Sequence, residues 1–312
     1  MPSTFLNSAS LGDRIYRVVT AAFALTIPLL LVLLSYEVLV AAWPALRTFG
    51  VGFLTSSRWD AVGGVFGVAP AIYGTVLASA IAVALAAPFA VGVAIFSSEI
   101  APGWLRQPLG LLLDLLAAIP SVIYGLWGLF VLVPFVREQL VPFLADRLAL
   151  GDTALFRGPS YGPSMLAAGL LLAIMILPFI ASVTREVLMA VPRAQREAAL
   201  ALGATRWEVI RVAVLPYARS GIIGGIILGL GRALGETMAV TMLIGNRHEI
   251  SASLLAPGYT LASLIANEFA EATGDLHLSA LMAAGAVLLF VTIAVNALAR
   301  WLVWRMRRLE DA

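Results

Sequence analysis

The sequence predicts an all-α, polytopic integral membrane protein with about six transmembrane helices, and three observations carry that prediction. Hydrophobic residues make up 61% of the 312 positions and charged residues only 12%, with a mean hydropathy of +0.97, far more apolar than a soluble domain. Apolar runs of about 20 residues recur along the chain, each long enough to cross a hydrocarbon core. The chain has no lysine, so its 20 basic residues are all arginine, and of these only Arg232 falls near the middle of a run, Arg300 lying at the inner end of the last. The predicted spans are residues 18–40, 71–96, 109–133, 165–183, 221–244 and 279–303. Together they form one transmembrane domain covering 1–312.

The first run follows Arg14 and Arg17 and is too long for a signal-peptide core, so it reads as an uncleaved anchor. Glu37, near its outer end, suits a solvated or snorkelling position. Residues 41–70 contain RWDAVGGVFGVAP and residues 134–163 contain FRGPSYGPS, glycine, proline and aromatic mixtures that predict ordered turns and short surface helices. The third run holds Asp114 near its inner end, where it can cap a helix, pair with an arginine or line an exit. The same run holds Ser121 and Tyr124, whose hydroxyls can donate to an oxyanion, although Pro120 and Gly125 equally suit a kink where helices pack closely. The loop 246–278 is net acidic. These outer loops suit docking by an extracytoplasmic partner or plain loop packing.

The arginines other than Arg232 divide unevenly. Positions 14, 17, 106, 185, 193, 196, 206, 211, 219, 300, 305, 307 and 308 fall on one side, and 47, 58, 137, 147, 157 and 247 on the other. The positive-inside rule places the first set in the cytoplasm, with the N-terminus (1–17), the loop 185–220 and the C-terminus (304–312).

That loop carries explicit helix punctuation. Pro192 can open a helix, Gly203 can close it in a left-handed conformation, and Thr205 with Glu208 forms a capping box for the next helix. A helix–turn–helix at the membrane surface is expected, with Arg185, Arg193, Arg196, Arg206, Arg211 and Arg219 near anionic headgroups.

In the fifth run the spacing is informative. At roughly 100° per residue, Gly221, Gly225, Gly229, Arg232 and Glu236 fall within about 80° of one another on a helix. A glycine stripe admits another helix closely, so these three glycines predict a helix interface, expected to meet a partner subunit. Arg232 and Glu236, four residues apart, can pair and serve only as glue. Alternatively the guanidinium, a fork of donors charged at any working pH, is held at bilayer depth for an oxyanion.

Several chemistries are excluded or unsupported. Without cysteine there are no disulfides, thiolate metal sites or cysteine nucleophiles. His248 and His277 lie far apart in sequence and read as surface polar residues, so no metal or catalytic residue is assigned. Without lysine the chain has no standard phosphate-binding loop, so any ATP must be handled by a partner. A secondary transporter would be expected to show paired, Gly/Pro-interrupted half-repeats, and none is visible. Membrane lipid is a partner and nucleic acid is not expected.

The segment Glu197-Ala198-Ala199, then Gly203, then Leu215-Pro216, resembles the EAA loop by which ABC-importer permeases dock their ATPase. The following GLGRALGETMAVTMLIGN, with LLAAIPSVIYGLWGLFVLVP at 115–134, FGVAPAIYGT at 66–75 and VNALAR at 295–300, resembles the C-type permease of Pst-type phosphate importers over most of the chain. The GETMAVT continuation separates it from the A-type sister. The resemblance implies a type I ABC-importer permease fold in a bacterial inner membrane and a heterodimer with an A-type permease. It further implies two copies of an ATP-binding subunit, which hold ATP and Mg, and an extracytoplasmic phosphate-binding protein. It makes Glu197, Ala198, Ala199, Gly203, Leu215 and Pro216 the coupling residues and Arg232, Glu236, Ser121 and Tyr124 the substrate path. Physics alone leaves molybdate, sulfate and phosphonate open beside phosphate, since one arginine serves any oxyanion.

Overall fold

A computed structural model describes residues 11–147, 151, 153–159 and 161–310. Among them, six helical stretches are long and apolar enough to cross a membrane: Gly12–Phe49, Ala69–Ile100, Ser121–Arg147, Met165–Met189, Arg206–Leu234 and Asp275–Arg305. The count agrees with the sequence pattern, but two of the six are displaced from their expected positions.

The centre of the molecule is the pairing of α3 (Ala69–Ile95) with α7 (Met165–Met189), its most extensive helix contact. On α3, Ala78, Ala82, Ala86, Ala90 and Ala94 recur every fourth residue and all are buried. A stripe of methyl groups lets α7 approach closely, and in lipid such packing replaces the hydrophobic drive that water would supply. Helix α7 begins with Ser164 as its N-cap, its hydroxyl accepting from Ala167 N, and Met165 N and Leu166 N donate to the carbonyls of Ala256 and Leu254. The loop after the fifth span thus satisfies the orphan amides at the start of the fourth.

Two joints around this pair are fastened by single hydroxyls. Helix α1 (Leu11–Phe49) is exposed along nearly its whole length and packs mainly on α13 (Asp275–Glu310). There the Ser279 hydroxyl enters the helical ladder of α1, accepting from Ala45 N at 3.0 Å and donating to Ala41 O at 2.8 Å. Thr75 on α3 likewise accepts from Leu261 N, the first residue of α12 (Leu261–Glu268), at 2.9 Å. A short turn α2 (Gly52–Thr55) leads into a two-residue hairpin, β1 (Trp59–Asp60) against β2 (Val65–Phe66), with Trp59 opposite Phe66. Gly64 supplies the positive φ of +63° in its turn, and Asp60 Oδ1 accepts from Gly63 N at 2.8 Å.

The first displacement is at Pro120. Helix α4 (Gly103–Ala118) ends two residues before it; Ile119 and Pro120 are extended, and α5 (Ser121–Trp127) starts afresh. Proline disfavours the α conformation at the preceding residue and cannot donate back, and at Pro120 the backbone is extended, so the expected span 109–133 is cut in two. The membrane-crossing stretch instead runs from Ser121 through α6 (Val133–Phe135) and alternating π-helical turns to Arg147. Asp114 therefore sits on a separate helix. Its carboxylate accepts from Ser182 Oγ at 2.7 Å, and one turn earlier Gly110 lies directly beneath the Arg185 guanidinium, where a Cβ would come within 2.7 Å. These contacts seat α4 on the last turns of α7.

The second displacement is in the fifth span. Helix α10 (Leu215–Leu234) stops at Gly235, residues 235–237 are not helical, and α11 (Met238–Leu243) follows. Gly245 (φ +89°) and Asn246 (φ +50°) then turn the chain back.

Candidate functional site

The two interruptions adjoin each other. Gly125, in the first turns of α5, lies so close to α11 that a Cβ there would be 3.1 Å from Ala239 Cα and 2.7 Å from the Met242 sulfur. Two broken helices thus begin side by side, and the predicted path residues Ser121, Tyr124, Arg232 and Glu236 all flank the breaks. Irregular backbone at membrane depth is tolerated only where protein covers it or a cavity wets it.

Arg232 occupies the last turn of α10. Its Nε is buried without a hydrogen-bond partner, its guanidinium lies 5.6 Å over the ring of Phe179 on α7, and Tyr124 lies within its electrostatic reach. The expected pairing with Glu236 does not form. The helix ends between them, and the Glu236 carboxylate turns forward to accept from Ala239 N at 3.3 Å. Among the described residues no carboxylate pairs with Arg232. An aromatic face holds a guanidinium in place without cancelling its charge, so the fork stays available.

The hydroxyls divide. Tyr124 donates to Leu116 O at 2.9 Å, spanning the Pro120 break, whereas Ser121 is half-buried at the very start of α5. Beside the break, Ile119, Ile123, Tyr124, Trp127 and Ile174 line an apolar cleft of about 270 Å³.

The glycine stripe packs within the chain. A Cβ on Gly221 would meet Val187 at 2.4 Å, on Gly225 Val183 at 3.3 Å, and on Gly229 Ile180 at 2.5 Å. The stripe faces α7 of the same chain, which corrects the expectation that it meets a partner subunit. Gly224, on another face, has nothing within 4 Å.

At the arginine-rich end, α8 (Arg193–Ala201) and α9 (Arg206–Val209) take the shape their punctuation predicts. Pro192 precedes α8, Gly203 closes it at φ +85°, and the Thr205–Glu208 capping box is complete in both directions. No residue of α8 is buried. Glu197 and Ala198 are exposed, Ala199 is half-buried, and Leu202 is 90% exposed beside the exposed Leu200 and Trp207, an apolar patch open to a partner. Leu215 and Pro216 open α10 after a π-helical turn, Leu215 half-buried and Pro216 exposed.

At the opposite end both histidines are drawn inward, against the expectation of surface positions. Trp59 and His248 stack with centroids 5.7 Å apart, His248 lies 4.4 Å from Tyr259, and His277 stacks on Phe66 at 5.1 Å. His277 also pairs with Glu268 at 3.4 Å. Among the described residues no group of histidines and carboxylates could hold a metal.

Residues 88–308 match the family described as binding-protein-dependent transport system inner membrane component. The phosphate transport system permease protein PstC of Mesorhizobium japonicum is 48% identical over 299 residues, covering 95% of this chain and 91% of that protein. This chain belongs to the PstC family of permeases. PstC of Xylella fastidiosa (strain 9a5c) is 47% identical over 301 residues, covering 96% of this chain and 93% of that one. In fold, this PstC-family permease is similar to a chain in the crystal structure of a bacterial ABC transporter involved in import of the polysaccharide alginate, at 17% identity and a TM-score of 0.57 over 92% of this chain and 99% of that one. Members of the PstC family are non-catalytic membrane components of ABC transporters, which work with an ATPase and a substrate-binding protein.

Proposed function

We propose that this permease forms half of the membrane path of an ATP-driven inorganic phosphate importer, with Arg232 as its anion-attracting residue. The observation that carries the reading is the uncompensated guanidinium of Arg232 beside two adjoining helix starts. Relatives named as phosphate transport permeases at 47–48% identity support phosphate as the anion. A site in the path should be weak, because an ion held too firmly at mid-membrane would not leave. A single arginine suits that need, and Glu236, two residues past the end of α10, supplies a nearby negative charge that would hasten departure.

In this reading the chain is one permease domain, 1–312, with both termini and the 185–220 loop on the cytoplasmic side of a bacterial plasma membrane, as the arginine distribution favours. It pairs with an A-type permease, and two ATP-binding subunits dock on α8 and α9 through Glu197, Ala198, Ala199 and the Gly203 turn, with Leu215 and Pro216 joining that element to α10. ATP and Mg stay with those subunits, and an extracytoplasmic binding protein delivers phosphate at the hairpin end. Closure of the ATPase pair would move α8 and α9 as rigid bodies.

The test is uptake of labelled phosphate into vesicles holding the reconstituted complex, with unlabelled phosphate, sulfate and molybdate as competitors. Phosphate alone should compete efficiently. Equal competition by sulfate or molybdate would replace phosphate with a general oxyanion path.

A further inference from the structure

Helix α8 packs on the membrane-embedded body through the half-buried Ala199, beside Ala94 and Leu188, and is hydrogen-bonded to it through the side chain of Arg196. Arg196 points inward from α8 while its neighbour Glu197 is exposed. Its Nη2 donates to Glu99 Oε1 at 2.7 Å and its Nε to Glu99 Oε2 at 3.3 Å, a forked pair in which the arginine side chain is 21% exposed and the glutamate 12%. The same guanidinium donates to Leu188 O at 2.8 Å and to Val191 O. Glu99 belongs to the π-helical turn Phe96–Ile100 that continues α3, a turn in which Ser97 and Ser98 donate back to Ala94 O. Leu188 lies in the last turn of α7 and Val191 just beyond it. One guanidinium therefore binds α8 to the ends of both helices of the central pair.

The covalent link is short, residues 190–192 alone separating α7 from α8, and it joins α8 to α7 but not to α3. We propose that the Arg196–Glu99 pair is the joint through which displacement of α8 reaches α3 and α7 together, and so reaches the Phe179 platform beneath Arg232. The inference rests on the reading that α8 docks the ATPase, and it concerns a different property: Arg196 and Glu99 are positioning residues that make docking productive without taking part in docking. A planar fork gripping both carboxylate oxygens transmits rotation as well as translation, which a single-point contact would not.

The experiment uses the full reconstituted complex and reads three quantities on each preparation: ATPase subunits retained, ATP hydrolysed when the binding protein and phosphate are present, and phosphate taken up. Glu99→Gln removes the charge, and Glu99→Met with Arg196→Met removes the pair while leaving no unpaired buried charge, an exchange that folds usually tolerate. Both should keep the subunits and keep hydrolysis within about twofold, while phosphate carried per ATP falls roughly 5- to 100-fold, the range of a typical coupling free energy. Glu99→Asp should be intermediate. Uptake and hydrolysis falling in proportion would reduce the pair to a structural brace, and an unchanged uptake per ATP in the double variant would overturn the joint. Because the chain has no cysteine, Gln195→Cys on the exposed side of α8 can be cross-linked to the ATPase in the same assay. A cross-link retained in Glu99→Gln shows that docking survives while coupling is lost. No cross-link with Glu99 intact would overturn the docking reading, and the joint with it.

Discussion

Arg196 of α8 and Arg232 of α10 both rest on α7, at Leu188 and Phe179, about two and a half turns apart, and the fold treats them in opposite ways. Around Arg196 it supplies both oxygens of Glu99 and two main-chain carbonyls. Around Arg232 it supplies the face of Phe179 and leaves Nε without an acceptor. Isolated charges are costly to bury, so a fully satisfied arginine is a structural element, and one left wanting signals that something else supplies its acceptors. On the reading proposed above, Arg196 holds shape and Arg232 meets the anion.

The comparison breaks most directly at Arg232. If it is the unspent arginine, Arg232→Gln should leave subunit stoichiometry intact and lower phosphate uptake about 10- to 100-fold, the ~1.5–3 kcal/mol of a hydrogen bond to a charged group. Arg232→Lys keeps the charge but loses the fork and should fall between. Uptake and subunit co-purification are measured on the same sample. Near-normal uptake, or loss of the heterodimer in step with transport, would make Arg232 a brace like Arg196.

A smaller effect distinguishes the two faces of α10. At Gly229 a Cβ would stand 2.5 Å from Ile180, so Gly229→Ala must push α7 aside, at about 1–3 kcal/mol for overpacking. Gly224 has open space around it, and Gly224→Ala should be neutral or stabilising by up to ~1 kcal/mol from helix propensity. Thermal unfolding of the purified complex ranks them. Because Ile180 adjoins Phe179, Gly229→Ala should also lower uptake, which would tie packing on α7 to the arginine it supports.

Gly203 offers a subtler contrast. Its Cβ would meet nothing within 4 Å, so substitution there acts through the backbone at φ +85° alone. Left-handed backbone costs about 1–2 kcal/mol for a residue with a side chain, least for Asn or Asp. ATPase co-purification should fall in the order Gly203, Gly203→Asp, Gly203→Val. The steeper loss expected for Glu197→Lys adds a reversed charge on the exposed face. Full retention in all three would remove α8 and its turn as the docking element.

How much of this was legible beforehand depends on the range of the interaction concerned. The Pro192 start, the Gly203 stop and the Thr205–Glu208 box involve neighbours within a few residues, and the sequence displays all of them. The breaks at Pro120 and Gly235 were also written locally, yet each sits inside an apolar run whose hydropathy continues unbroken, so length suggested a span where the backbone makes two helices. The predicted Arg232–Glu236 pair failed for that reason: i and i+4 are neighbours only while the helix lasts. Glu99 with Arg196, Asp114 with Ser182 and Phe179 with Arg232 join residues far apart in the chain, and with a single sequence nothing marks such partners. The histidines lie inward because polarity does not entail exposure: an imidazole among Trp59, Phe66 and Tyr259 is buried for its ring.

His248 extends the comparison to a charge the fold can dispense with. Like Arg232 it is shielded without acceptors, both ring nitrogens being buried and unpartnered. An arginine must stay charged and wait for a counter-ion, but an imidazole can give its proton up. Burial between Trp59 and Tyr259 pushes the His248 pKa below its ordinary 6.5, and the negative charge of Glu268 only partly opposes this. The folded protein therefore holds this proton less tightly than the unfolded chain. The stability tied to a neutral His248 is complete above pH 6.5 and is lost as pH falls through that value toward the folded pKa. Thermal unfolding between about pH 5 and 8 should show this as a shallow acid-side decline, the smallest of these effects. His248→Phe keeps the stack on Trp59, has no proton to bind, and should flatten the decline. An equally steep decline in His248→Phe would remove His248 as the source of the acid sensitivity and leave it a plain aromatic spacer.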